Sequence, residues 1–133
     1  MIFVDTNVFM YAVGRPHPLR NAAREFFLEC QRNHTPLCTS AEVLQELLHA
    51  YVPVSRQPIL DAALSLIARH RVEVWPLELE DVTLARQLFD QFPTLGARDL
   101  CHLASCRRRG IKEIKTFDQA LRGVGGQKEE QRG

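Results

Sequence analysis

Two hydrophobic rhythms alternate along this chain. Short unbroken apolar runs read as buried strands, and longer stretches with apolar residues every three or four positions read as amphipathic helices. Residues 2–4 form the first predicted strand, and 7–13 a short helical turn closed by Gly14 and the loop 15–18. Residues 19–32 are helical, with Ala22, Ala23, Phe26, Phe27 and Cys30 on one side. A brief strand at 36–38 leads into a helix over 41–51, whose apolar side carries Val43, Leu44, Leu47 and Leu48. Residues 52–58 read as a loop and 59–70 as a helix. Residues 72–75 alternate and then meet Pro76, which marks a strand end. Helices over 80–92 and 98–109 follow, separated by a turn at 93–96. The second of these stops at Gly110, and residues 111–115 form the last buried strand.

Strands alternating with helices imply an α/β fold with a short parallel sheet and helices on both faces. At 133 residues the chain suits one domain. We place that domain at 1–122 and expect a flexible, Gly- and charge-rich tail over 123–133.

Composition narrows the class without naming it. With 17 basic and 16 acidic residues, net charge decides nothing about a nucleic-acid partner. No run approaches the roughly 20 apolar residues of a membrane helix, and no signal core is visible, so we expect a cytoplasmic protein without membrane contact. Cys30, Cys38, Cys101 and Cys106 form no CxxC pair, which argues for reduced, mostly buried thiols and against zinc.

The chemistry lies in four acids. Asp5 closes the first strand, Glu46 sits in the third helical stretch, Asp99 opens the run 100–109, and Asp118 follows the last strand. Open α/β sheets bind ligands at the carboxyl ends of their strands. Each aspartate alone is explained as a helix cap; acids gathered at strand ends would instead repel one another unless a hard divalent cation such as Mg²⁺ or Mn²⁺ lay between them. Glu46 is the least easily dismissed. Thr39-Ser40-Ala41-Glu42 matches a capping box, which gives Glu42 a structural task and leaves Glu46 beside Val43 and Leu47 in need of a partner.

These segments resemble the PIN-domain ribonucleases, and most closely the VapC-like toxins of toxin–antitoxin pairs. The similarity runs through residues 4–11, through 39–47 around Glu46, through 97–104 around Asp99, and through Thr116-Phe117-Asp118. It implies a PIN-like three-layer α/β/α fold and an RNA-hydrolysing site that uses Mg²⁺ or Mn²⁺. By position, Asp5 and Asp99 would ligate metal directly, Asp118 would hold a ligand water or a second ion, and Glu46 would orient or deprotonate the attacking water. Thr6, Asn7 and Thr116 would fix the carboxylates by hydrogen bonding. The products would carry a 5′-phosphate and a 3′-hydroxyl. The resemblance also implies a cognate antitoxin and a homodimer. Many members carry another acid just after the fourth, where this chain has Gln119 and Ala120.

Around an acidic pocket, RNA needs cations. Arg15, Arg20 and Arg98 are candidate phosphate contacts. Arg107, Arg108 and Arg109 read as a solvated helix end, Trp75, Phe26 and Phe27 as core, and His102 as a helix residue that leans over the site only in a minority reading. Other classes stay open: a PIN nuclease of RNA processing outside any toxin pair, a non-catalytic RNA- or protein-binding module on this scaffold, and a Mg²⁺ phosphatase with an aspartyl nucleophile. The last wants an acid two residues after Asp5, where Asn7 stands, and a lysine near the last acid, where Lys115 is a weak match.

Overall fold

A computed structural model describes residues 1–125, and the expected tail over 126–133 lies outside them. Four parallel strands run in the order β3-β2-β1-β4: β1 (Ile2–Val4), β2 (Leu37–Ser40), β3 (Glu73–Trp75) and β4 (Glu113–Lys115). Between and after them come α1 (Thr6–Val13), α2 (Arg20–Arg32), α3 (Ala41–Tyr51), α4 (Gln57–Arg69), α5 (Leu79–Gln91), α6 (Ala97–Arg108) and α7 (Gln119–Gly125). This is the PIN-like α/β/α arrangement the sequence predicts. None of these helices is long and apolar enough to cross a membrane.

The central strand β1 is short because its job is positional. Phe3 and Val4 are fully buried, and Val8, Phe9, Val43, Leu47 and Ala104 pack around them from the helices. The ladder continues one step past the strand, where the Asp5 N–H donates to the Lys115 carbonyl at 3.0 Å. That bond carries the chain to the carboxyl edge of the sheet before α1 begins. Thr39 ties the neighbouring strand to the same edge by donating its hydroxyl to the Val4 carbonyl at 2.7 Å.

Several boundaries differ from the sequence reading for physical reasons. Helix α3 is capped by Ser40, whose hydroxyl accepts from the Val43 N–H at 3.3 Å. Thr39 belongs to β2, so the expected Thr39–Glu42 capping box does not form. Helix α4 begins two residues earlier than expected and includes Pro58, because a proline ring is tolerated in a first turn where its missing N–H has no intrahelical partner. Helix α7 runs through residues 123–125, inside the stretch assigned to the tail.

The three arginines are also not a solvated helix end. Arg108 pairs with the fully buried Asp81 at 2.6 Å, and Arg109 reaches Asp81 at 3.2 Å and Glu78 at 2.8 Å. The Arg109 guanidinium lies 4.6 Å from the centre of the Trp75 ring, and Arg107 lies 5.3 Å from that of Phe92. Asp81 also accepts the Glu78 N–H at 2.9 Å, closing the start of α5. Burial raises the Asp81 carboxyl, but the Glu78 N–H and the two arginines outweigh it and hold it below its usual range. This cluster locks α5 to the C-terminal end of α6, and so fixes the helix whose other end carries Asp99. Asp81→Ala should cost about 3 kcal/mol of unfolding free energy, the low end for breaking a buried pair because both arginines keep access to water. Urea denaturation measures it, and a loss within experimental error would show that the cluster does not clamp the two helices.

Candidate functional site

The site begins with Thr116. Its hydroxyl donates to Asp5 Oδ2 at 2.7 Å and accepts from the Asp118 N–H at 3.0 Å and from Asn7 Nδ2 at 3.3 Å. One donor and both lone pairs of this buried hydroxyl are therefore used. Asn7 completes the lashing by accepting the Phe117 N–H at 3.1 Å on Oδ1. Segments from the ends of β1 and β4 are thus tied together; Thr116 bonds the Asp5 carboxylate directly, whereas Asn7 bonds Thr116 and the Phe117 backbone and no carboxylate.

Asp5 is both cap and site residue. Its Oδ1 accepts the Thr6 N–H at 2.8 Å at the start of α1, while the carboxylate as a whole is only 7% exposed. Burial raises its pKa, the bonds from Thr116 and Thr6 oppose this, and Asp118 adds to the rise. Asp118 caps α7: its Oδ1 accepts from Ala120 N–H at 2.9 Å and Leu121 N–H at 3.4 Å. Its second oxygen takes no hydrogen bond among the described residues.

Glu46 has the partners that its position demands. The Thr6 hydroxyl donates to Oε1 at 2.6 Å, and Arg98 pairs with Oε2 at 3.1 Å. Arg98, expected to touch phosphate, is therefore engaged by a carboxylate, though its side chain stays 58% exposed and can swing. Asp99 is no cap. Gly96 holds the cap position of α6, and Asp99 sits in the first turn with no hydrogen bond to its carboxylate among the described residues. Its pKa is pushed up to about 6 by burial and by the charges of Asp5, Asp118 and Glu46, with Arg98 opposing. The charges of Asp5, Asp118 and Glu46 therefore all reach Asp99. The arrangement is not a finished cation cage, since no three His, Cys, Asp or Glu side chains among the described residues are gathered closely enough to hold a metal. The donor set still fits a hard cation: all oxygens, one carboxylate unbonded, and one with a spare oxygen.

His102 is the residue that sequence reasoning undervalued. It is 1% exposed, lies tilted with its ring centre 5.1 Å from that of Phe3, and points Nε2 to within 4.0 Å of Asp5 Oδ1 without a hydrogen-bond partner. Burial lowers its pKa to about 4, with Glu46 opposing and Arg98 assisting, so the ring is neutral at pH 7. Its spacing of three from Asp99 was the available signal, because it places both side chains on one helix face.

Other candidates lie elsewhere. Arg15 lines a separate cleft with Tyr11, His17, Tyr51 and Arg56, which none of the four acids borders. Arg20 sits in the first turn of α2 with a buried, unpartnered Nε. Asn7 does not stand in for a phosphatase acid, since its amide is committed to Thr116 and Phe117. The Lys115 ammonium lies over the rings of Phe26 and Phe117. All four cysteines are free thiols, with Cys30, Cys38 and Cys106 buried.

Residues 2–127 match the PIN domain. The chain belongs to the PIN-domain family. Within it the chain is VapC-like. It is 60% identical to Ribonuclease VapC23 of Mycobacterium tuberculosis over 121 residues, covering 91% of this chain and 95% of that protein. It is 36% identical to Ribonuclease VapC13 of the same species, covering 91% and 92% of the two chains. The fold matches that of Mycobacterium tuberculosis VapC20, a sarcin–ricin loop cleaving toxin, with a TM-score of 0.70 at 20% identity over 94% of this chain and 95% of that one. A chain in a toxin–antitoxin complex from Klebsiella pneumoniae matches with a TM-score of 0.65 at 16% identity over 95% and 94%.

Asp99 and His102 pull stability in opposite directions with pH. The raised Asp99 carboxyl favours folding below pH about 4, and this contribution is lost as pH rises through about 6. The lowered His102 favours folding above pH about 6.5, and this is lost as pH falls toward 4. The two effects oppose each other between about pH 4 and about 6, so a difference between variants isolates one of them. In EDTA, Asp99→Asn should gain stability relative to wild type as pH rises from about 4 to about 6, then hold that gain. Melting temperatures across this range check it, and a pH-independent difference would mean that Asp99 is not crowded by like charge.

Proposed function

We propose that this PIN-domain protein is a ribonuclease that requires Mg²⁺ or Mn²⁺ and serves as the toxin of a toxin–antitoxin pair. The observation that carries this reading is the state of Asp99, an unbonded carboxylate pushed up to about 6 by burial and by Asp5, Asp118 and Glu46. Carboxylates that raise one another's pKa at the edge of a sheet are relieved when a hard cation binds them. The names of the similar VapC proteins supply the reaction class.

Asp5, Asp99 and Asp118 would hold the cation. When bound, it supplies a water of lowered pKa and charge stabilisation on the phosphoryl oxygens. Thr116 and the Thr6 N–H fix the Asp5 oxygens, so the carboxylate is oriented before any ligand arrives. Glu46 would orient and deprotonate the attacking water, with the Thr6 hydroxyl holding its Oε1. For that, Arg98 has to leave Glu46. Its exposed guanidinium then meets the phosphate, exchanging one anionic partner for another.

A partner arginine entering this acidic cleft would compete with metal, which is how an antitoxin would silence it. Helices α3 and α5 leave Leu48, Val52, Leu79, Val82 and Phe89 exposed, and these faces support a homodimer. Free thiols suit a reducing cytoplasm. A housekeeping RNA-processing role shares the same chemistry and differs only in lacking an antitoxin.

Purified protein should cleave RNA with Mg²⁺ or Mn²⁺ and stop in EDTA. Glu46→Gln should lower the rate at least about 100-fold, the low end for losing a general base, with an unchanged fold by circular dichroism. Cleavage that survives exhaustive chelation would reject metal dependence, and an active Glu46→Gln would reject the role of Glu46. Light scattering should give twice the chain mass, and Leu79→Asp with Val82→Asp should return a monomer. A wild-type monomer at micromolar concentration would reject the dimer.

A further inference from the structure

Beside the acids lies a second, differently built cleft of about 480 Å³, lined by Glu42, Gln45, Glu46, His49, Leu77, Ala97, Arg98 and Cys101. Its size falls within the roughly 300–1,000 Å³ of small-ligand sites. Its two walls differ in chemistry. Leu77, Ala97 and Cys101 form an apolar wall from the segment before α5 and the first turns of α6. Glu42, Gln45, Glu46 and His49 form a polar wall, because spacings of three, four and seven bring them to one face of α3. Glu46 and Arg98 belong to both this cleft and the acidic site, so whatever fills the cleft lies next to the scissile position.

Three polar groups on that wall are unspent. Glu42, Gln45 and His49 make no hydrogen bond or ion pair among the described residues, unlike Glu46 beside them. The loss of the expected capping box matters here, since Ser40 caps α3 and leaves the Glu42 carboxylate free to face the cleft. Away from Arg98 the polar wall carries a carboxylate and an amide and, among the described residues, no cation paired to that carboxylate, so the wall itself suits a hydrogen-bond donor rather than an anion. What fits is a flat group with one apolar face and a donor-bearing edge.

We infer that this cleft is a nucleobase subsite for an unpaired residue flanking the scissile bond, and that it prefers guanine over uracil. The inference rests on the ribonuclease reading and deepens it. Unpaired RNA bases are read by packing their faces on side chains and hydrogen-bonding their edges. Leu77, Ala97 and Cys101 take the face. Glu42 and the Gln45 carbonyl accept from the edge. Guanine offers two adjacent donors, N1–H and the N2 amino group. Adenine and cytosine offer one amino group each. Uracil offers a single N3–H between two carbonyls, which the Glu42 carboxylate repels. His49, at the outer end of the face, supplies either a donor or an acceptor.

Two measurements on the full chain test this. The first is cleavage of single-stranded RNAs that differ only at the bases next to the cut. One position should favour guanine over uracil about tenfold in kcat/KM, the scale of one good bidentate base contact. Gln45→Ala and Glu42→Gln should bring that ratio toward one. Both positions face solvent, wholly or in part, so folding is spared. The second is an NMR titration with guanosine 5′-monophosphate and with uridine 5′-monophosphate. The guanine nucleotide should shift backbone amides at 42–49 and 97–101, and the uridine nucleotide should not at equal concentration. RNA cleavage with an unchanged base ratio in both variants and no shifts at these amides would overturn the subsite while leaving the ribonuclease reading intact. Guanine-specific shifts in a protein that cuts no RNA would keep the subsite and overturn that reading.

Discussion

Like charges crowded at the edge of a sheet are the constraint on which this structure turns. Asp5 and Asp118 follow the ends of adjacent strands, Asp99 opens α6 beside them, and Glu46 reaches in from α3. Their repulsion has to be countered by something that holds them in place. Part of that is the Thr116 hydroxyl, which bonds Asp5, Asn7 and the Asp118 backbone at once. Part is Arg98, which neutralises Glu46. Part is the distant Asp81 cluster, which fixes the far end of the helix that carries Asp99. Asp99 bears the remainder, its pKa raised first by burial and then by the charges of Asp5, Asp118 and Glu46.

Among the described residues no three acids lie close enough together to hold a metal, and Arg98 pairs with Glu46, the carboxylate proposed to act on the attacking water. A cation and an RNA phosphate would each relieve one of these frustrations: the first draws in Asp99, and the second draws Arg98 away from Glu46. Binding energy spent on that exchange couples assembly of the site to arrival of substrate.

Much of this was legible in the sequence because it depends on local patterns. Apolar period and breakers located the four strands and the first six helices to within a few residues, though not α7, and three aspartates stood out by their places at element ends while Glu46 stood out by its unpaired place on a helix. What was not legible depends on partners distant in the chain. Arg108 and Arg109 look like a solvated helix end until α5 brings Asp81 under them. Thr39 and Glu42 match a capping box until the ladder claims Thr39 and passes the cap to Ser40. His102 looks like an ordinary helix residue until packing seals it against Phe3 and aims it at Asp5. Arg15 illustrates the opposite error, since closeness in sequence to Asp5 did not bring it to the acids.

The central claim of the proposal is that these four acids form a cation site in which Asp99 is part-protonated near pH 6. Isothermal titration calorimetry with Mn²⁺ near pH 6, repeated in buffers of different ionisation enthalpy, tests it most directly. Binding should release a fraction of a proton, because metal displaces the one that Asp99 shares near its raised pKa of about 6. The apparent heat should then vary with the buffer, and Asp99→Asn should remove both the binding and that variation. Heats that are the same in every buffer, or binding that Asp99→Asn leaves untouched, would contradict the account.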